Sequence, residues 1–267
     1  MAQVYAPLWC KSNFSFLEGA SDPAELIEQA AHLGLRSIAV TDRDGLYGVV
    51  QAHTAARHKG LDLIIGAEMT VADPGVVLSG QIRAGSQPTA KPGAQFERAD
   101  ISTIVLLVEN RSGYRNLCRL ITRGRRRSPK GESITTWQEV AEHAGGLVAL
   151  WGGDNSLLTR ADPFKLSLSP GRFRACFRTG QPRLVDETLL ETVTPLLKDA
   201  FGDRLFAIIS RHHRADEVRK EWRLRENASK WDIPLVAATE VLYHSPSRRD
   251  VQDVLSCIRQ GVKLSDA

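Results

Sequence analysis

Short apolar runs of strand length alternate with amphipathic segments of helix length along most of the chain. Ser37–Thr41 (SIAVT) is a continuous apolar run, which is typical of strands buried on both faces of a parallel sheet. Before it, Asp22-Pro23-Ala24-Glu25 combines an N-cap, a proline at the first helical position and a capping-box glutamate. About seven such strands with helical crossovers restrict the fold to an open doubly wound sheet or a closed β/α barrel. No G-x-G-x-x-G follows the first strand, which counts against a dinucleotide-binding sheet.

The same patterns predict the bounds of the elements, within one domain of residues 1–267. Residues 71–100 and 153–183 lack a clear periodicity and are predicted to be loop excursions or insertions, with one short strand at 172–177. Strands are predicted at 3–9, 37–41, 61–69, 103–108, 147–151, 205–210 and 235–239. Helices are predicted from Pro23 to a stop at Gly34 and at 48–59, 113–123, 137–143, 185–201, 215–231 and 247–260.

Composition excludes several classes of protein. No apolar run approaches the roughly 18 residues of a membrane span, and the first ten residues lack the pattern of a signal peptide. The four cysteines form no C-x-x-C pair, so reduced thiols in a cytoplasmic protein are expected. Walker A, G-x-S-x-G and H-E-x-x-H motifs are absent from the sequence.

Positive charge is concentrated in one segment. The chain carries a net charge of +4, and residues 111–130 contain eight cations and no acid. Four of the arginines recur every fourth residue and therefore share one helix face. This block could bind DNA or a protein partner, or it could be a solvated face. Its members are Arg111, Arg115, Arg119, Arg123, Arg125, Arg126, Arg127 and Lys130.

Several motifs lie at the predicted strand ends, where β/α barrels carry their chemistry. Residues 8–21 read LWCKSNFSFLEGAS, Thr41-Asp42 ends the second strand, and Gly66-Ala67-Glu68 ends the third. LLVEN (106–110), GYRNL (113–117), GLVAL (146–150), PLVAATEVLYH (234–244) and DVLSCIR (253–259) follow in order. In wording and spacing this series resembles the polymerase-and-histidinol-phosphatase (PHP) domain of error-prone C-family bacterial DNA polymerases, paralogues of the DNA polymerase III alpha subunit.

The resemblance covers essentially the whole chain and implies a distorted seven-stranded (β/α)7 barrel of the PHP type. Such a barrel is usually the N-terminal domain of a much longer polymerase, so the chain is expected to be an excised domain. The implied partners are the remainder of the polymerase chain and, through it, other damage-tolerance and replication proteins. Contact with DNA is expected to be weak or indirect, and no membrane partner is expected.

The resemblance also implies a metal site, and here the sequence departs from the family. Active members bind up to three metal ions through about nine ligands, mostly histidines, and hydrolyse phosphoesters. The family's opening His-x-His is similar in position to Trp9-Cys10-Lys11, its Thr-Asp-His to Thr41-Asp42-Arg43, and its final Asp-x-His to Glu240-Val241-Leu242. None of the seven histidines falls at a ligand position. The corresponding positions are Trp9, Lys11, Glu18, Asp42, Arg43, Glu68, Thr103, Gly153, Glu240 and Leu242.

Carboxylates survive at this site while imidazoles are lost, so the missing positive charge must come from elsewhere. We expect Lys11 and Arg43 to neutralise Glu18, Glu68, Glu240 or nearby Asp42, because carboxylates cannot converge uncompensated in a partly dry cavity. The indole of Trp9 is expected to fill part of the remaining volume.

The function expected from these positions is structural. We predict a scaffold for an error-prone polymerase of translesion synthesis and DNA damage tolerance, with no catalytic residue, metal or cofactor in this domain. The full-length protein would be a DNA-directed DNA polymerase. One alternative is a residual phosphoesterase or 3′–5′ exonuclease that uses the surviving carboxylates with Mg²⁺ or Mn²⁺. A second alternative is a non-specific DNA-binding module.

Overall fold

Nine strands and eight α-helices follow one another in the computed structural model, which describes residues 5–72, 101–161, 186–212 and 217–266. The strands are β1 (Trp9–Cys10), β2 (Ser37–Val40), β3 (Asp62–Ala72), β4 (Ile101–Val108), β5 (Thr135–Thr136), β6 (Leu147–Gly152), β7 (Leu205–Ile209), β8 (Leu235–Ala237) and β9 (Glu240–Val241). The helices are α1 (Pro23–His32), α2 (Val49–Lys59), α3 (Arg111–Arg127), α4 (Trp137–Glu142), α5 (Leu157–Arg160), α6 (Asp186–Phe201), α7 (Glu217–Lys230) and α8 (Arg249–Gln260). Short 3₁₀ turns occupy Gly202–Arg204, Pro246–Arg248 and Leu264–Asp266.

Most predicted elements are confirmed to within a few residues, and the helix signals act as expected. Asp22 caps α1 with a complete capping box, and Pro23 opens the helix. Gly60 ends α2 in the left-handed conformation with φ of 66°, which glycine adopts at little cost. Local turn and capping chemistry therefore sets these boundaries.

Three predicted bounds need correction. Of the strand predicted over 3–9, the described residues 5–9 form a strand only from Trp9, and β1 is Trp9–Cys10, since it pairs with only two residues of β9 and Pro7 has no N–H to extend a ladder. Val71 and Ala72, predicted to open a loop excursion, instead belong to β3 and pair with the unpredicted strand β5. Within the predicted irregular stretch 153–183, residues 157–160 form α5, capped by Ser156. The strand predicted at 172–177 and residues 73–100 lie outside the described part of the chain.

The described residues divide into two compact units. The first unit comprises the described residues up to Glu68, Val105–Val108, and the described residues from Ala238 onward. In this unit β1 pairs with β9, and β2 with the first half of β3, all in parallel. The apolar face of α1 packs on these strands and on α2. The resulting core contains Cys10, Leu26, Ile27, Ala30, Ile38, Val40, Ala52, Ala56 and Leu61.

The second unit contains the described residues of Met69–Ile104 and Glu109–Ala237. Here β6, β7 and β8 pair in parallel, and β5 pairs with the end of β3. The rings of Trp137 and Trp151 meet edge to face, 5.7 Å apart, between α4 and β6. Alternation of parallel strands with helices is thus present in both units.

Two further expectations concern the chain's surroundings. Among the described residues, no helix is both long enough and apolar enough to cross a membrane. Cys10, Cys118 and Cys257 are free thiols in the structure, and Cys176 lies outside the described ranges.

Candidate functional site

Residues in or directly after four strands, β1, β2, β3 and β9, carry the candidate site, and in the first unit β1 pairs with β9 and β2 pairs with β3. Trp9 of β1 is in register with Glu240 of β9, and the N–H of Lys11 donates to the carbonyl of Val241 at 2.9 Å. Beyond β2, Arg43 forms a single parallel bridge with Glu68 of β3. Parallel pairing thus places Lys11 beside Val241 and Arg43 beside Glu68, so the side chains of these neighbouring segments can meet in one pocket.

The ammonium of Lys11 lies at the centre of the site. Its side chain is only 1% exposed, and Nζ lies 2.7 Å from Glu18 Oε2, 2.6 Å from Glu68 Oε2 and 2.5 Å from Glu240 Oε1. An ammonium carries three N–H donors and no acceptor. Lys11 donates to Glu18 and Glu240 and forms an ion pair with Glu68, so the buried cation has three carboxylate partners.

Arg43 supplies the second cation from the edge of the pocket. Its Nε lies 2.6 Å from Glu18 Oε1, and Nη2 lies 3.2 Å from Glu68 Oε1, with 29% of the side chain exposed. Glu18 and Glu68 thus each bridge Lys11 and Arg43 through separate oxygens. The pairing of these cations with surviving acids, which we expected from the sequence, is present.

The indole of Trp9 completes the inner wall. Its Nε1 donates to Glu68 Oε2 at 3.0 Å, and Lys11 Nζ lies 5.6 Å from the ring centroid. A cation at this distance from an indole gains a cation–π attraction. Trp9 fills space, as predicted, and it is also a hydrogen-bond donor to the central carboxylate, a role that the sequence did not indicate.

The electrostatics of the cluster favour the ionised forms of Lys11, Glu18 and Glu68. Burial alone would lower the pKa of Lys11, but the carboxylates of Glu68, Glu240 and Glu18 outweigh burial and raise it. Burial alone would raise the pKa of Glu68, but Arg43 and Lys11 hold it at about 2. The same two cations lower the pKa of Glu18 against its burial. At neutral pH the site is therefore a network of charged groups that stabilise one another.

Of the four acids that we named from the sequence as alternative partners of Lys11 and Arg43, Asp42 is the one that lies outside this group of contacts. Its carboxylate accepts from the backbone N–H of Ser12 at 2.7 Å, from the Ser12 hydroxyl, and from the Ser15 hydroxyl at 2.7 Å. Burial raises the pKa of Asp42, and the serine hydrogen bonds oppose that rise. Asp42 thus anchors the loop after β1, and the S-x-x-S spacing of Ser12 and Ser15 was the available signal.

Backbone geometry in that loop brings Glu18 into the pocket. Leu17 has φ of 60°, and a Cβ on Gly19 would lie 2.0 Å from the carbonyl oxygen of Ser12. Only glycine fits such a close approach between two backbone segments. The N–H of Ala20 then donates to the carbonyl of Leu242 at 2.7 Å, which ties the loop to the segment after β9.

The remaining predicted positions lie elsewhere. Thr103 is buried in β4, and Gly153 follows β6 with φ of 85°. Both belong to the second unit, whereas Leu242 is half-buried in the first. Of the histidines near strand ends, His244 contacts Ser21 and Glu25 rather than the cluster, and His213 lies outside the described residues.

The basic segment, residues 111–130, contains all of α3 in the second unit. Arg111, Arg115, Arg119 and Arg123 are exposed, as their spacing predicts. Arg123 pairs with Glu142 at 3.3 Å, and Arg127 pairs with Glu139. Arg125 donates to the carbonyl of Glu132 at 3.4 Å. The stripe is therefore a surface feature, compensated in part by α4 and the loop before it.

The three carboxylates of the cluster allow a test of whether a metal would fit. Oxygens of Glu18, Glu68 and Glu240 lie within 4.8 Å of one another, which suits a hard cation such as Mg²⁺. However, Lys11 Nζ lies within hydrogen-bond distance of all three, and an ammonium offers a metal no lone pair and repels it. The residues as arranged do not fit a resident metal ion.

Comparison with known proteins identifies the family. The PHP domain model matches residues 8–199, so the chain belongs to the PHP domain family. It is 33% identical over 276 residues to an error-prone DNA polymerase of Anaeromyxobacter sp. (strain K) and 31% identical over 261 residues to one of Rhodopirellula baltica. A third, from Pseudomonas fluorescens, is 33% identical over 264 residues. These alignments cover 97–100% of this chain and 19–20% of the relatives, so the chain spans about a fifth of their length.

Solved structures confirm the predicted fold class, a distorted (β/α)7 barrel of the PHP type. A candidate metal-dependent phosphoesterase from Bifidobacterium adolescentis superposes with a TM-score of 0.51 over 90% of this chain and 87% of that one, at 15% identity. An amidohydrolase from Chromobacterium violaceum gives a TM-score of 0.50 at 13% identity, with 89% and 87% covered. At these identities the likeness concerns the fold alone.

The first prediction concerns acid stability. Because Glu68 and Glu18 have lowered pKa values in the folded chain, their ionised forms contribute stability above the ordinary value of 4.5. That contribution disappears as the pH falls toward 2, on the order of 3 kcal/mol for Glu68. Urea unfolding between pH 7 and 3 should show a steep loss that is flattened in Glu68→Gln and retained in the exposed control Glu28→Gln. Equal slopes in the parent and Glu68→Gln would contradict this account.

The second prediction concerns the central cation. Lys11→Ala leaves three carboxylates facing one another with Arg43 as their only nearby cation among the described residues, and should lower the free energy of unfolding by about 3–5 kcal/mol. Lys59→Ala removes the same charge from an exposed position at the end of α2 and should change stability by less than about 0.5 kcal/mol. Denaturant melts at pH 7 measure both values. If Lys11→Ala lowers the free energy of unfolding as little as Lys59→Ala does, the ion pairs of Lys11 are not truly buried.

Proposed function

We propose that this chain is the PHP module of an error-prone DNA polymerase, and that the Lys11 ammonium takes the place that metal ions hold in phosphoesterases of this fold. The module then serves as a structural scaffold for the polymerase in translesion synthesis and damage tolerance, in the cytoplasm. The observation that carries the proposal is the position of Lys11 Nζ, 2.5–2.7 Å from oxygens of Glu18, Glu68 and Glu240.

Charge explains why this arrangement opposes hydrolytic chemistry. A phosphoesterase of this kind needs a metal to activate water and to hold phosphate oxygens. In this site Lys11 and Arg43 already satisfy the carboxylates of Glu18 and Glu68, and Arg43 cannot lose its proton in a protein. A residual phosphoesterase or exonuclease would first have to displace Lys11 from a fully paired, buried position. The scaffold function is therefore better supported.

An exposed apolar face on α8 supports the scaffold role. Val251, Val254 and Ile258 recur at i, i+3 and i+7 and so lie on one side of the helix, with 41%, 43% and 58% of each residue exposed. Val262 and Leu264 continue the apolar surface beyond the helix, at 42% and 59% exposure. Contiguous exposed apolar surface commonly marks an interaction site. Since the related polymerases are about five times longer than this chain, we assign this face to contact with the remainder of the polymerase.

Metal content and hydrolysis test the proposal. The purified chain, incubated with MnCl₂ or ZnCl₂ and then dialysed, should retain no stoichiometric metal and should cleave neither p-nitrophenyl phosphate nor single-stranded DNA. Added Mn²⁺ should also leave its melting temperature unchanged, because only a ligand that binds the folded state raises it. One or more metal ions per chain, with hydrolysis abolished by Glu68→Ala, would instead establish the residual phosphoesterase.

The α8 face yields a separate test of docking. In the full-length polymerase, Val254→Asp with Ile258→Asp should lower the melting temperature and expose the module to protease, since two charges would be buried against the polymerase body. The same pair of changes should barely alter the 267-residue chain, in which both positions are exposed. Gln260→Asp adds a charge on the opposite side of α8 and serves as the control. A full-length double variant as stable as its parent would refute docking through α8.

A further inference from the structure

An open groove runs along the exposed side of α3 in the second unit. It contains no residue of the Lys11 cluster. The groove encloses about 640 Å³ and is lined by Tyr114, Arg115, Cys118, Arg119, Arg123 and His143, among others. Three arginines on one helix face thus share a concave surface with an aromatic ring and a histidine.

The positive charge of this groove is only partly compensated. Arg123 has Glu142 at 3.3 Å, with both side chains about half exposed. Arg115 donates to the hydroxyl of Ser112 at 3.0 Å, which is a neutral partner. Arg119 is exposed and has no hydrogen bond or ion pair within the described ranges of the chain. Like charges at i, i+4 destabilise a helix slightly. An anionic ligand bound to these arginines would reduce the repulsion between them.

The spacing of these arginines indicates what kind of anion fits. Four residues of α-helix rise about 6 Å, so the three guanidinium groups are offered at intervals comparable to those between successive phosphates of a nucleic-acid strand. Arginine binds phosphate through two parallel N–H donors, which gives both affinity and orientation. A single small anion would use only one of these positions.

Tyr114 adds a feature that a generic polyanion site does not need. Tyr114 is 39% exposed, and partial burial together with its interaction with Cys118, one turn along α3, raises the pKa of its hydroxyl. The tyrosine lines the groove and is accessible to solvent there. His143, another lining residue, is 8% exposed, and its Nδ1 donates to the carbonyl of Glu139 at 2.8 Å, which fixes the imidazole. Aromatic faces beside a basic groove are the usual means of holding unpaired bases.

We propose that the α3 groove binds single-stranded DNA, with backbone phosphates on Arg115, Arg119 and Arg123 and a base stacked on Tyr114. A single strand fits better than a duplex or an acidic peptide, because only unpaired bases can present a face to Tyr114. This site belongs to the second unit, whereas the Lys11 cluster belongs to the first, so the inference stands or falls independently of the proposed function.

Fluorescence anisotropy with a fluorescein-labelled dT20 oligonucleotide, measured on the 267-residue chain from 25 to 200 mM NaCl, tests the proposal. Arg119→Ala should weaken binding several-fold at low salt and reduce the slope of log K against log salt by about 0.7, the value for one lost contact with a single strand. Tyr114→Ala should weaken binding about fivefold or more, with little change in slope. Tyr114→Phe keeps the ring and should retain most of the affinity.

Matched controls lie outside the groove. Arg219→Ala removes an exposed arginine from α7, and Tyr5→Ala removes a tyrosine that is 47% exposed; neither should alter binding. Loss of binding in the groove variants alone supports the proposal. Three results would overturn it: affinity unaffected by both Arg119→Ala and Tyr114→Ala, a 20-base-pair duplex bound more tightly than dT20 without dependence on Tyr114, or equal competition by poly-L-glutamate at matched charge.

Discussion

A single buried ammonium organises the first unit of this protein. Lys11 Nζ forms ion pairs with Glu18, Glu68 and Glu240, and these acids come from a loop and two different strands. Removing one partner from such a network leaves an uncompensated buried charge, which costs far more than the pair contributes. The interaction therefore ties the loop after β1, the end of β3 and the start of β9 into one arrangement, with Arg43 and Trp9 as further partners of Glu68.

Under the proposed function, the network also exchanges a metal-binding role for a structural one. Carboxylates converging on a pocket require positive charge, whatever its source. A divalent ion can leave and return, whereas a lysine is part of the chain and makes the neutralisation permanent. An arrangement of this kind agrees with the scaffold role that we propose, and in that proposal the exposed apolar face of α8 contacts the rest of the polymerase.

Much of this could be predicted from the sequence, because strand-end motifs and helix caps are local signals. Lys11, Arg43, Glu18, Glu68 and Glu240 were brought together by a resemblance in order and spacing, and the parallel register confirms their proximity. Asp42 could not be resolved in this way, since its partners Ser12 and Ser15 depend on the turn of a loop rather than on periodicity. The hydrogen bond from Trp9 and the pairing of β5 with β3 likewise arise from tertiary contacts.

Crystals grown in the presence of Mn²⁺ and measured at a wavelength where manganese scatters anomalously test the central claim most directly. The account predicts Lys11 Nζ within hydrogen-bond distance of all three carboxylates and no anomalous peak between them. A manganese peak coordinated by Glu18, Glu68 and Glu240, with the Lys11 side chain displaced from the pocket, would contradict it.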